Sequence, residues 1–158
     1  MTAKVELKKI DRRDFVLGTA AVAALAAIVS IPAGPAHAKR GLDEAVKSVL
    51  GDVKPAKGRV SLELPEIAEN GNTVPFSFSV ESPMTKADHV KEVHIFASGN
   101  PRPDVATFMF SPSSGKASAN SRMRLGKTQD IVAIAKMSDG KFYMTRQTVK
   151  VTIGGCGG

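Results

Sequence analysis

Short runs in which apolar residues occupy every second position fill most of this chain after residue 59. From 74 to 80, for example, Val74, Phe76, Phe78 and Val80 alternate with small or polar residues. A β-strand turns alternate side chains to opposite faces, so this pattern predicts strands with one buried face. Comparable runs occupy residues 60–64, 90–97, 105–110, 117–125, 131–137 and 141–153.

Segments rich in Gly, Pro, Asn, Asp and Ser separate these runs at regular intervals. One of them, PEIAENGNTVP at 65–75, is predicted to be a loop that turns at Asn70-Gly71-Asn72. Regular turns between about seven short strands predict an all-β domain over 53–153, an immunoglobulin-like antiparallel β-sandwich, with a β-barrel as the alternative. With one cysteine and no tryptophan, such a sandwich would be held by apolar packing without an internal disulfide.

One stretch before the strands has helical periodicity. Leu42, Val46, Val49 and Leu50 fall on one face of a helix, which we predict within residues 39–52. This apolar face has to pack either on its own domain or on a partner protein, and the sequence leaves both open.

The first 38 residues have the pattern of an export signal. Adjacent Arg12 and Arg13 precede an uncharged run at 15–31, and the small-residue motif AHA follows. This order is typical of a twin-arginine signal peptide, residues 1–38, that is cleaved after Ala38. An uncleaved membrane anchor is the alternative.

The charge of the predicted mature chain excludes some classes of partner. Removing the signal takes away five basic and three acidic residues, which lowers the formal net charge from +7 to +5. This charge is diffuse, with no Lys/Arg run and no interleaved aromatic residues, so nucleic acid is not an expected partner. After cleavage no membrane contact is expected either.

Residues that could bind a metal or a cofactor are not grouped. His89 and His94 lie five residues apart in or beside one strand, which places them on opposite faces, so we interpret them as surface or hydrogen-bonded strand residues. Zinc, calcium and nucleotide-binding motifs are absent, and the sequence predicts no metal and no cofactor. The methionines of the mature chain are interpreted as core-filling residues. They are Met84, Met109, Met123, Met137 and Met144.

The only cysteine, Cys156, lies in the final segment VTIGGCGG, between Gly154-Gly155 and Gly157-Gly158. A single cysteine in an exported protein either bridges two chains or is a reactive thiol. A glycine segment cannot hold a base and an oxyanion site around the thiol, so a catalytic cysteine is not expected. Because glycines are narrow and conformationally free, we predict a flexible carrier arm that presents Cys156 to the active sites of other proteins.

Several segments together resemble the SoxY family. They are the final VTIGGCGG, ELPEIAENGNTVPFSFSVESPM, NPRPDVATFMFSP, SRMRL and KTQDIVAIAKMSDG. The resemblance covers essentially the whole mature chain and the twin-arginine signal. Its most specific parts are the arm at 154–158 and the PEIAENGNTVP segment.

The resemblance implies a periplasmic sulfur carrier that is not itself an enzyme. Members of this family carry intermediates of thiosulfate oxidation on the cysteine that corresponds to Cys156. The implied heterodimer partner is a SoxZ-type subunit, which has no signal of its own and would be exported together with this chain. Transient contacts are implied with a SoxXA-type haem enzyme that attaches thiosulfate, a SoxB-type hydrolase that releases sulfate, and a SoxCD-type sulfur dehydrogenase.

Other interpretations stay open on the residues alone. A terminal Gly-Gly could carry sulfur as a thiocarboxylate on Gly158, although activation of that carboxylate needs ATP, which argues against this chemistry after export. An adhesion-like sandwich could be linked through two copies of Cys156. A metal-delivery module is a further alternative.

Overall fold

The structure, a computed structural model, describes residues 41–153; the predicted signal peptide and the predicted arm lie outside the described residues. Within this range one α-helix precedes eight strands, and a 3₁₀ turn at Pro112–Ser114 lies between the fifth and sixth strands. The bounds are α1 Leu42–Leu50, β1 Val60–Glu63, β2 Ile67–Asn70, β3 Val74–Val80, β4 Val90–Ala97, β5 Asp104–Met109, β6 Ala117–Met123, β7 Gln129–Met137 and β8 Phe142–Ile153.

The strands form two sheets that pack face to face. One sheet has the order β1-β3-β6 and the other has the order β2-β8-β7-β4-β5. Neighbouring strands are antiparallel except for β2 and β8, which are parallel. The predicted immunoglobulin-like β-sandwich with one N-terminal helix is therefore confirmed, but its sheets are not antiparallel throughout.

The core lies between the sheets because the apolar positions of each strand point inward. On β3, the alternating residues Val74, Phe76, Phe78 and Val80 are at most 6% exposed, and they pack with buried residues of the other sheet such as Ile131. Truncating a buried side chain of this size to alanine typically costs ~2–5 kcal/mol. Burial of the alternating apolar side chains is thus a main contribution to the stability of the sandwich.

Helix α1 packs on the outer face of the five-stranded sheet of its own chain. Ala45 and Leu50 are buried there against Phe96, Val132 and Ile134. An isolated helix of nine residues would be marginal in water, so this apolar contact is what stabilises it. The question that the sequence left open is answered in favour of packing within the domain. None of the helices in the range 41–153 is long and apolar enough to span a bilayer.

Two expectations from the sequence were wrong in detail. The segment 65–75 was predicted to be a loop, and its turn at Asn70-Gly71-Asn72 is present, but the residues before that turn form strand β2.

The methionines were interpreted as core residues, and Met84, for example, is 5% exposed, but Met109 is 79% exposed. Strand β5 is an edge strand, and Met109 lies on the face opposite to its core-packed neighbour Phe108, where nothing in the described chain covers it.

Candidate functional site

The last residues of β8 lead to the predicted arm, and their apolar side chains become progressively more exposed toward the end of the strand. Val149 is fully buried between the sheets, Val151 is half-buried, and Ile153 is 69% exposed. Apolar burial therefore holds β8 as far as Val149 and contributes progressively less beyond it. The end of the strand needs other contacts to stay in place.

Strand β2 supplies the first set of these contacts by pairing in parallel with the end of β8. Ile67 lies opposite Lys150 and Asn70 lies opposite Ile153. The Lys150 amide donates a hydrogen bond to the Glu66 carbonyl at 2.9 Å. Because β2 is the outermost strand, it turns the end of β8 from a sheet edge into an interior strand.

The turn after β2 adds contacts at the last described residue. The Gly71 amide donates to the Ile153 carbonyl at 2.8 Å, and the Gly71 carbonyl accepts a hydrogen bond from the Leu125 amide at 2.8 Å. The turn itself is stabilised by the Asn70 side chain, whose Oδ1 accepts from the Asn72 amide at 2.9 Å. Gly71 is buried and thus links the end of β8 to the loop between β6 and β7.

Two threonine side chains complete the contacts. Thr128 Oγ1 accepts a hydrogen bond from the Val151 amide at 2.9 Å, and the Thr152 hydroxyl donates to the Glu69 carbonyl at 3.0 Å. We call strand β2, Gly71 and Thr128 the exit clamp, since they hold β8 at the point where the chain continues toward Cys156.

A polar network supports the loop that carries Thr128. Gln129 is only 5% exposed, and its Oε1 accepts from the Gly99 amide at 2.6 Å. Its Nε2 donates to Asn100 Oδ1 at 3.0 Å and to the Lys127 carbonyl at 3.1 Å. Gly99 is closely packed against Gln129, because an added Cβ would lie 3.1 Å from Cβ and 3.2 Å from Cδ of Gln129. Hydrogen bonds therefore join the turn after β4 to the loop before β7 beside the clamp.

The predicted attachment residue, Cys156, and the arm glycines Gly154, Gly155, Gly157 and Gly158 lie outside the described residues. Cys156 follows the clamped Ile153 by three residues, a length of chain that spans at most about 10–11 Å. The position of Ile153 therefore limits where the thiol can be. The sequence interpretation found the thiol but missed the clamp, whose only signal was the well-defined PEIAENGNTVP segment.

The histidines have structural contacts, as the sequence interpretation proposed. His94 Nε2 lies 3.0 Å from Glu92 Oε2, and its Nδ1 lies 3.1 Å from Thr107 Oγ1. Lys136 Nζ contacts the other oxygen of Glu92 at 3.3 Å. Burial raises the pKa of Glu92, but its bonds and charge interactions with His94 and Lys136 outweigh this and hold the pKa below its ordinary value. His89 lies just before β4, with Nδ1 3.0 Å from a backbone carbonyl.

Within the described range, no group of three or more His, Cys, Asp or Glu residues is placed to hold a metal ion. An open groove of about 820 Å³ lies on the outer face of the three-stranded sheet. Its polar lining includes Glu63, Ser77 and Arg122, and Ser77 donates a hydrogen bond to Glu63 at 2.7 Å.

Comparison with known proteins places this architecture in one family. A family model described as sulfur oxidation protein SoxY matches residues 46–156. The solved structure of the sulfur carrier protein SoxY from Chlorobium limicola f thiosulfatophilum is 33% identical in sequence, with a TM-score of 0.60, over 71% of this chain and 96% of that chain. No curated protein matches at a significant level.

A second solved structure shares only the fold. Superoxide reductase (neelaredoxin) from Ignicoccus hospitalis is 18% identical, with a TM-score of 0.54, over 60% of this chain and 80% of that chain. At this identity the likeness concerns the β-sandwich and carries no functional information. The family match, by contrast, covers all eight strands of the sandwich and continues through the cysteine, and the chain therefore belongs to the SoxY family of sulfur oxidation proteins.

Proposed function

We propose that this chain is a periplasmic sulfur carrier that holds thiosulfate-derived intermediates covalently on Cys156. The observation that carries the proposal is the family match, which extends through Cys156 itself. The geometry of the described chain supports it, because β8 is anchored as far as Ile153, three residues before the thiol. A rigid domain with a thiol on a short glycine segment suits delivery of cargo to other proteins' active sites.

The proposed chemistry needs only an attachment atom from this chain. The Cys156 sulfur and the outer sulfur of thiosulfate form an S–S bond, the thiol proton is released, and two electrons pass to a SoxXA-type haem enzyme. Water then attacks the sulfonate sulfur at a SoxB-type hydrolase. The adjacent S–S bond breaks, sulfate leaves, and a persulfide remains on Cys156. In this scheme the chain is a substrate-bearing subunit, and the oxidation and the hydrolysis occur on its partners.

The proposal includes a heterodimer with a SoxZ-type subunit and export by the twin-arginine route. Transient docking of SoxXA-, SoxB- and SoxCD-type enzymes completes the cycle. The support for these finer points is the family match over residues 46–156 and the Arg12-Arg13 pair in the first 38 residues. A twin-arginine signal suits a carrier that leaves the cytoplasm folded and bound to its partner.

Intact-mass measurement of the protein purified from thiosulfate-grown cells tests the proposal. We expect thiosulfonate and persulfide adducts that disappear on reduction and that are absent from the Cys156→Ser variant. A mass that shows only a disulfide-linked homodimer would favour a structural role. Sulfur that remains in the Cys156→Ser variant and maps to Gly158 would favour a thiocarboxylate carrier.

A further inference from the structure

The end of β8 is held from two directions by contacts that the core does not provide. On one side, the Gly71 amide and the Glu69 carbonyl bond to Ile153 and to the Thr152 hydroxyl. On the other side, Thr128 Oγ1 accepts from the Val151 amide. Three consecutive residues, 151–153, are thus each bonded to the exit clamp. Chain ends are commonly poorly ordered unless contacts tie them down, and these contacts do so although Ile153 is 69% exposed.

Without these contacts the end of β8 would separate from the sheet. Strand ends with little buried surface open with free energies close to zero, and β8 buries little beyond Val149. Each residue released would lengthen the chain between the last fixed residue and Cys156 by about 3.3–3.6 Å. Release of residues 151–153 would double the distance along the chain from the last fixed residue to Cys156, from three residue steps to six.

We propose that the exit clamp is a positioning device that sets the reach of Cys156. By fixing Ile153 it confines the thiol to about 10–11 Å from one point on the domain. When a partner has docked on the domain, a short tether keeps the thiol concentrated near the partner's active site. Effective concentration falls roughly as the −3/2 power of tether length, so a doubled tether lowers it about threefold. This inference rests on the proposed function of Cys156.

Thr128→Val combined with Thr152→Val tests the proposal. Both threonines are exposed and valine has nearly the same shape, so the variant should fold. Loss of two hydrogen bonds should speed hydrogen exchange of the 151–153 amides about thirtyfold, the equivalent of ~2 kcal/mol. In a reconstituted thiosulfate-oxidising system, kcat should fall by up to about threefold, which is the value for complete release of residues 151–153. The KM for the carrier should change less than kcat, because the two substitutions alter neither the charge nor the size of the surface.

Two further variants separate positioning from general stability. Thr128→Ser with Thr152→Ser keeps both hydroxyls and should restore slow exchange and normal kcat. Thr148→Val is the matched control, since it removes the 2.6 Å bond from Thr148 Oγ1 to Asp130 Oδ1 earlier in the same strand. It should leave exchange at 151–153 and kcat unchanged. Alkylation of Cys156 by iodoacetamide should be equal in all variants.

The outcomes are decisive in each direction. Unchanged exchange at 151–153 in the double valine variant would show that the clamp does not hold the strand end. Fast exchange with unchanged kcat would show that the strand end is held but that the thiol is not positioned by it. Either result overturns the inference. Failure of the proposed function is a separate result, because it would appear as the absence of sulfur adducts on Cys156 in the unmodified protein.

Discussion

Replacement of the buried Gln129 by leucine should destabilise the domain through three hydrogen bonds. The leucine matches the glutamine in size, so the loss is mainly one of polar contacts. The Gly99 amide and the Lys127 carbonyl lose their partner, while Asn100 Oδ1 keeps the bond that it accepts from the Gly126 amide at 3.2 Å. At ~1 kcal/mol for each lost bond, the free energy of unfolding should fall by ~3 kcal/mol. For a domain of this size the Tm should fall by ~10–15 °C.

Replacement of Gln129 by glutamate separates hydrogen bonding from volume. The introduced carboxylate can still accept from the Gly99 amide, but it cannot donate, and it faces Asn100 Oδ1 and the Lys127 carbonyl. Burial and these oxygens raise the pKa of the introduced carboxyl above its unfolded value of about 4.3. Because the pKa of this carboxyl is higher in the folded protein than in the unfolded chain, folding favours its protonated form. The variant should therefore lose little stability below about pH 4 and progressively more as the pH rises through the folded pKa.

Urea unfolding of the unmodified protein and of both variants, near pH 4 and near pH 7, is the assay. The Gln129→Leu variant should be destabilised equally at both pH values, and Gln129→Glu should be close to the unmodified protein only at the lower one. The reasoning is refuted if Gln129→Leu costs less than ~1 kcal/mol, or if the glutamate variant is destabilised equally at both pH values. In the first case the hydrogen bonds of Gln129 would contribute little to the free energy of unfolding.

Three further predictions concern export, assembly and the arm. Arg12→Lys with Arg13→Lys should leave the precursor in the cytoplasm, and fractionation that finds the variant exported normally would remove the twin-arginine route. Size-exclusion chromatography of native mature protein should show a heterodimer, and a stable, active monomer would contradict this. Gly154→Val with Gly155→Val should change the free energy of unfolding by less than ~1 kcal/mol. Thiosulfate-dependent turnover should nevertheless fall sharply, because the added side chains would block entry of the arm into a partner's narrow active site. Iodoacetamide should still alkylate Cys156, and normal turnover would show that narrow glycines are not required.

The strands and the helix could be predicted because their signals are local. In β3 every second residue is buried and the residues between them are exposed or half-buried, and in α1 the apolar residues repeat with helical spacing. Each pattern reports burial of a face, which is the main contribution to the stability of both elements. The exact ends of the strands differed from the prediction by one or two residues, because pairing with neighbours decides them.

Strand β2 had no comparable signal. Only Ala68 of its four residues is buried, and Ile67 is 55% exposed, so the segment shows no apolar alternation. Its partner, the end of β8, lies more than eighty residues later in the chain, and the pairing is made by backbone groups whose presence does not depend on side-chain type. The Gln129 network was missed for a related reason, because Asn100 and Gln129 lie in segments whose composition indicates only turns.

The two segments that were most specific for the family resemblance are contiguous in the folded chain. PEIAENGNTVP forms β2 and the turn at Gly71, and the final segment begins with the residues of β8 that β2 and Gly71 hold. A glycine arm gains its freedom only after the last fixed residue, so the behaviour of the thiol depends on where that residue is. A carrier thiol therefore requires two features that oppose each other. The residues after Ile153 have to be free to enter a partner's site. The residues up to Ile153 have to be fixed so that the arm stays short. The parallel pairing of β2 with β8 provides the second feature at the point where burial in the core no longer does.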